Sequence, residues 1–179
     1  FNYRNEEEYG KEINGFTENE EPNFYGSSYS VVKGFTDMLM HQLGESVLNL
    51  RIRMPINTEK NQRNFIYKIT HYEKICSIPN SMTVLPDFFP IILDLMKNKT
   101  IGTLNLTNPG LISHNEILEM YREIVDPDFK WENFSIEEQD KILLSERSNN
   151  YLCTVKLEKM YPAIKNIKES VKNILINYK

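Results

Sequence analysis

Tyr29 and Lys33 stand four residues apart in the run Tyr-Ser-Val-Val-Lys. On a helix, positions i and i+4 share a face, so the ammonium lies beside the phenol. An adjacent positive charge favours phenolate, and such a tyrosine can give its proton to an alkoxide forming at a reduced carbonyl. The spacing alone is common: ten tyrosines and fifteen lysines place about one such pair by chance, and two occur. The other, Tyr161 with Lys165, is interrupted by Pro162, which breaks helical continuity. Around Tyr29 the context is better. Gly26-Ser27-Ser28 precedes it, an apolar helical period follows, and a strand-like run ending in Arg53-Met54-Pro55 comes next. The competing reading is a packed tyrosine beside a solvated lysine.

The elements that must hold the pair follow from periodicity. Tyr29, Val32, Lys33, Phe35, Leu39, Met40 and Leu43 recur at helical spacing, with Ser27 or Ser28 as cap and Gly44 beyond the end. Residues 47–55 alternate as a strand, with Leu48, Leu50, Ile52 and Met54 on one face, Asn49, Arg51 and Arg53 on the other, and Pro55 as the stop. A short helix is predicted over 64–72, and short strands on either side of the turn Pro79-Asn80-Ser81. Residues 87–98 read as an amphipathic helix capped by Asp87, with Pro90 tolerated in its first turn. A further strand runs from Gly102 to the turn Asn108-Pro109-Gly110. Ser113 with Glu116 and Ser135 with Glu138 are capping boxes opening two helices, and 166–178 makes a last amphipathic helix. Strands alternating with helices predict α/β layers around a partly parallel sheet. No G-x-G-x-x-G occurs in the 179 residues, although a doubly wound nucleotide domain opens on that turn.

Composition narrows the function classes. The chain is 40% hydrophobic and 26% charged, which suits a folded domain and not a disordered one. The net charge of −4 is concentrated at the start, where residues 1–23 hold seven acids against two bases and read as a solvated acidic loop. Neither a nucleic-acid footprint nor a membrane-spanning run is present. Cys76 and Cys153 have no metal-ligand spacing and read as reduced thiols of a cytoplasmic protein, with no metal site. His41, His71 and His114 have no ligand partners, and His114 belongs to its helix start. The first residue is Phe1, not Met, so the chain reads as a piece of something longer.

The run PNFYGSSYSVVK followed by LRIRMPI resembles the extended short-chain dehydrogenase/reductases. RNFIYKIT, IPNSMTVL, NLTNPGLISHNEILEMY, FKWENFS and RSNN resemble, more narrowly, the bifunctional nucleotide-rhamnose synthases, the 3,5-epimerase/4-reductases of plants and large DNA viruses. The resemblance implies the C-terminal part of a Rossmann-type domain plus a small substrate-binding lobe. Residues 24–78 would carry the catalytic helix and late Rossmann strands, and 79–179 the substrate lobe and C-terminal helices.

It also implies residue roles. Tyr29 would be the proton donor, and Lys33 would hold the nicotinamide ribose. Lys68, in RNFIYKIT, would move protons at carbons 3 and 5 of a 4-keto sugar together with a cysteine. Such protons are acidic because they lie alpha to a ketone. Asn64, Asn80, Ser81, Met82 and Thr83 would line the nucleotide-sugar pocket, and Arg147 would contact the diphosphate; Arg53 either reaches the site from the strand end or pairs with an acid. The family's Thr-Gly-Cys-Ile stretch, which supplies the epimerase cysteine, is not among these residues, and Cys76 falls in a different motif. The implied activity is UDP-4-keto-6-deoxyglucose 3,5-epimerase/4-reductase, with NADPH or NADH as cofactor, a nucleotide-sugar substrate and a homodimeric assembly. The main cofactor-binding half would lie outside this chain, leaving it inactive alone. A dTDP-4-dehydrorhamnose reductase and a non-catalytic reductase-like regulatory subunit are the alternatives.

Overall fold

The computed structural model describes residues 1–178. Its elements run in chain order α1 (Ser28–Gln42), β1 (Leu48–Arg51), β2 (Pro55–Ile56), α2 (Phe65–Ile69), β3 (Lys74–Ile75), β4 (Thr83–Val84), α3 (Leu85–Lys97), β5 (Gly102–Asn105), α4 (His114–Ile124), β6 (Glu132–Asn133), α5 (Ile136–Ile142), α6 (Val155–Met160) and α7 (Ile167–Ile176). The strands form three parallel pairs, β1 with β5, β2 with β4 and β3 with β6. Every pairing therefore spans a crossover, as an α/β chain requires.

The β1–β5 pair separates two environments because side chains alternate across it. Leu50 opposite Leu104, with Leu48, faces Phe88, Ile91 and Leu95 of α3 and Leu157 of α6. The other face is polar. Asn49 donates to Asp37 of α1 at 2.8 Å, and Arg51 grips the same carboxylate through Nε at 2.9 Å and Nη2 at 2.7 Å. Three donors and nearby His41 hold the Asp37 carboxyl below its usual range against the cost of its partial burial. A larger core joins α2, α4 and α7 to β2 and β4 through Ile66, Ile69, Ile117, Val171, Leu175 and Met82.

Several expectations change. The strand from 47 ends at Arg51, not at Pro55, because Met54 adopts a left-handed φ of 41° and moves the chain onto a second strand pair. Ile52 and Met54 thus leave the alternation, and Ile52 is exposed. Helix α3 starts at Leu85, with Val84 as N-cap and Pro86 in the first turn. Asp87 is not its cap; its carboxylate receives Asn108 Nδ2 at 2.9 Å and Ser170 Oγ at 2.6 Å. The acidic stretch 1–23 is irregular but not solvated throughout. Tyr3, Glu8 and Phe16 are buried, and Arg51 donates to the carbonyls of Thr17 and Glu20. Finally, the apolar period of α1 faces solvent, since α1 meets the sheet through Asp37; Val32 and Phe35 are each 63% exposed.

Candidate active site

Helix α1 begins as its sequence requires. Ser27 Oγ accepts from the Ser30 amide at 3.1 Å, and Ser30 Oγ accepts from the Ser27 amide at 3.0 Å, a reciprocal box that fixes the first turn. Tyr29 is the second helical residue, one turn before Lys33, and the Lys33 Nζ lies 5.8 Å from the Tyr29 ring centroid. Phenol and ammonium share one face, as the spacing predicted. They stand open: Tyr29 is 71% exposed and Lys33 is exposed. The hollows lined by residues 160–165 with Asp87 and Ile91, and by residues 143–146 with Asp140 and Gly26, include neither residue. The pair thus stands open to solvent on the face of α1.

Lys68 occupies the last turn of α2 and is exposed. Phe65, one turn earlier on the same face, has its ring 5.3 Å from that of His114. Asn64 is the N-cap of this helix: its Oδ1 accepts from the Ile66 amide at 3.1 Å, and its Nδ2 meets the carbonyls of Asn57 and Glu59 and the Asn57 side chain. Its amide is fully engaged by the protein, so the structure gives it a helix-building role.

Asn80, Ser81, Met82 and Thr83 are all buried. Ser81 Oγ accepts from the Leu152 amide at 2.8 Å, Thr83 Oγ1 donates to the Leu106 carbonyl at 2.8 Å, and Met82 lies in the larger core. Asn80 is a hub. Its Oδ1 receives Arg53 Nε at 3.3 Å, Arg53 Nη2 at 2.9 Å and the Asn150 amide at 2.8 Å, while its Nδ2 donates to the Ile78 carbonyl and Asn149 Oδ1. Asn80 and Ser81 thereby tie Arg53 and the 148–152 segment to this part of the chain.

Arg53, left ambiguous by the sequence, is the group that the fold singles out. Beyond Asn80 its guanidinium reaches Ser148 Oγ at 3.0 Å and the Ser148 carbonyl. Among the described residues it has no carboxylate partner. Burial pulls its pKa down to about 10, so it stays charged, and it senses the Tyr3 and Tyr29 hydroxyls. His114 lies nearby; burial, and secondarily the Arg53 charge, push its pKa down to about 4, so its imidazole is neutral. Arg147, the residue before Ser148, is exposed. Both cysteines are unpaired, and partial burial raises the Cys76 thiol above its ordinary value, the wrong direction for a reactive thiolate.

Parallel strands joined through helices make an α/β fold, and its solved structural neighbours include Rossmann-type short-chain reductases. The dTDP-4-dehydrorhamnose reductase of Bacillus anthracis, solved in complex with NADP, shares this fold with a TM-score of 0.71 at 17% identity, over 94% of this chain and 61% of that one. The chain is homologous to the C-terminal part of the UDP-rhamnose synthase (epimerase/reductase) family. The crystal structure of the L780 UDP-rhamnose synthase from Acanthamoeba polyphaga mimivirus matches with a TM-score of 0.90 at 53% identity, covering 94% of this chain and 61% of that one. The bifunctional dTDP-4-dehydrorhamnose 3,5-epimerase/reductase of Arabidopsis thaliana is 49% identical over 158 residues, 88% of this chain and 52% of the relative. The chain thus spans about half the length of the curated relatives it matches. No family model matches it.

Proposed function

We propose that this chain forms part of a UDP-4-keto-6-deoxyglucose 3,5-epimerase/4-reductase that makes UDP-rhamnose with NADPH. The observation that carries the reading is the Tyr29–Lys33 face on a capped helix, in a chain about half identical over the matched residues to proteins named for UDP-rhamnose synthesis. When bound, the reduced nicotinamide supplies hydride to carbon 4. Tyr29 then gives its proton to the oxygen that gains charge there, and Lys33 holds ribose hydroxyls and keeps the phenol in place. The diphosphate of such a dinucleotide needs a Gly-rich turn that these residues do not contain. Lys68 accepts or donates a proton at the carbons flanking the ketone, with a group on the opposite sugar face completing each inversion. Its exposure on α2, on the face of Phe65, leaves it available for that work.

A chimera in which residues 1–179 replace the matching portion of the mimivirus L780 protein tests this. It is expected to convert UDP-4-keto-6-deoxyglucose to UDP-rhamnose with NADPH. Tyr29→Phe should lower reduction by about 10²- to 10⁴-fold, the usual worth of a positioned general acid. Lys68→Ala should abolish deuterium uptake at carbons 3 and 5 while leaving reduction of a pre-epimerised substrate intact. A folded chimera whose turnover is indifferent to Tyr29→Phe would refute the proposal.

A further inference from the structure

The chain holds one Asn-Gly dipeptide, Asn14-Gly15, and the fold explains why a glycine stands there. Gly15 passes so close to the buried ring of Tyr151 that a Cβ on it would collide with that ring. The next residue, Phe16, bridges to Leu152. Its amide donates to the Tyr151 carbonyl at 2.9 Å, and its carbonyl accepts from the Cys153 amide at 2.9 Å. Asn14 itself lies outside this packing. It is exposed, and among the described residues its side-chain amide has no hydrogen-bond partner. The Gly15 amide donates to the Glu12 carbonyl at 3.4 Å, a length at which a hydrogen bond holds weakly. The carbonyl between the two residues is held firmly. It accepts from Arg4 Nη1 at 2.8 Å, and Arg4 is fixed in turn by Glu8, Glu20 and the face of Phe16.

We infer that Asn14 is a site of self-modification, where the chain converts this asparagine to aspartate and isoaspartate through a cyclic imide, and that Arg4 promotes the conversion. The Gly15 nitrogen gives up its proton to solvent base and attacks the Asn14 Cγ. The new N–Cγ bond forms, the Cγ–Nδ2 bond breaks, and ammonia leaves with a proton taken back from solvent. Water then opens the ring at either carbonyl, so one water is consumed and one ammonia released. The first step is the difficult one, because an amide nitrogen is a poor acid. Its anion carries much of the charge on the carbonyl oxygen of the same peptide, which is the oxygen that Arg4 holds. A cation hydrogen-bonded where charge develops favours the charged state over the neutral one. Glycine removes the steric obstacle to ring closure, and the Asn14 amide breaks no bond when it turns. The close approach of Tyr151 thus selects the residue at which the ring closes most easily, and the arginine that fastens the loop activates it. The isoaspartyl product adds a methylene to the main chain directly before Gly15, where Tyr151 leaves no slack, and so loosens the Phe16–Leu152 bridge. This reaction is independent of the sugar chemistry at Tyr29 and Lys68.

The test is incubation of the 179-residue chain in mildly alkaline buffer, followed by peptide mapping with mass spectrometry. The peptide that contains Asn14 should gain the mass of an amide-to-acid exchange, as two products separable by chromatography, ahead of the other asparagines. Asn14→Gln should suppress the gain. Arg4→Gln should slow it by about 5- to 10-fold, as expected for loss of one charge-assisted hydrogen bond at a partly exposed site. Should Arg4→Gln fail to fold by circular dichroism, the unaltered chain is compared with a synthetic peptide of residues 11–17, which keeps the Asn-Gly and has no arginine. Asn14 should then convert faster in the folded chain than in the peptide. An Asn14 that stays intact overturns the inference. So does a folded Arg4→Gln variant that converts at the same rate or faster, or a folded chain no faster than the peptide.

Discussion

Replacing His114 by glutamine should remove a pH-dependent component of stability that the fold imposes on this one imidazole. In the unfolded chain a histidine titrates near 6.5, whereas burial and the Arg53 charge bring the folded value to about 4. Between these values the unfolded chain binds the proton more readily than the native one, so stability falls as the pH falls from about 6.5 to 4 and levels off below. A gap of about 2.5 units at about 1.36 kcal/mol each amounts to roughly 3 kcal/mol, absent at pH 7 and fully expressed at pH 4. His114→Gln keeps a polar side chain and lacks this titration. Urea unfolding of both proteins across pH 4–7 isolates the effect, because depressed carboxyls such as Asp37, Glu20 and Glu116 are common to both and cancel. The stability difference between the two proteins should shift by about 3 kcal/mol over that range. With three histidines in the chain, His114 can also be followed directly by nuclear magnetic resonance. A flat difference, or a His114 resonance titrating near 6.5, refutes the burial argument.

Other perturbations follow from single contacts. Asp37→Asn leaves Arg51 buried without its carboxylate and should cost about 3–5 kcal/mol in urea unfolding, loosening α1 from the sheet. Lys99 is the left-handed residue, φ 50°, of a Schellman ending on α3, in which its amide bonds the Met96 carbonyl and the Thr100 amide the Leu95 carbonyl. Lys99→Gly should therefore stabilise the chain by about 0.5–1 kcal/mol, raising the melting temperature, since glycine carries no Cβ penalty there.

What the sequence reveals depends on how locally each feature is determined. The boxes at Ser113 and Ser135 were legible because both partners of each lie within three residues, and both form; the cap of α1, open between Ser27 and Ser28 in the sequence, is Ser27. The Tyr29–Lys33 face was legible for the same reason. The end of β1 was not, because the left-handed turn at Met54 is imposed by pairing with two different strands, which no local pattern encodes. Helix α6 went unseen: it is six residues long, and its cap residue Thr154 makes no side-chain capping bond. The roles of Asn64 and Asn80 illustrate a further limit. Sequence likeness marks them as belonging near a ligand, yet their amides are occupied in building α2 and in fixing Arg53. That Arg53 meets no carboxylate among the described residues could be known only once their acids had been placed.

The network around Asn80 also bears on the order in which the protein assembles. Arg53 reaches Ser148 across 95 positions, Asn80 reaches Asn149 across 69, and Asn150 holds the carbonyl of Phe1 across 149. Closing such long loops gives no reward until distant segments are already in place, so this knot is among the last parts to tighten during folding. The fixed guanidinium thus comes into being only when the segments around residues 1, 53, 80 and 148–150 have met, and until then Arg53 stays hydrated and free to turn.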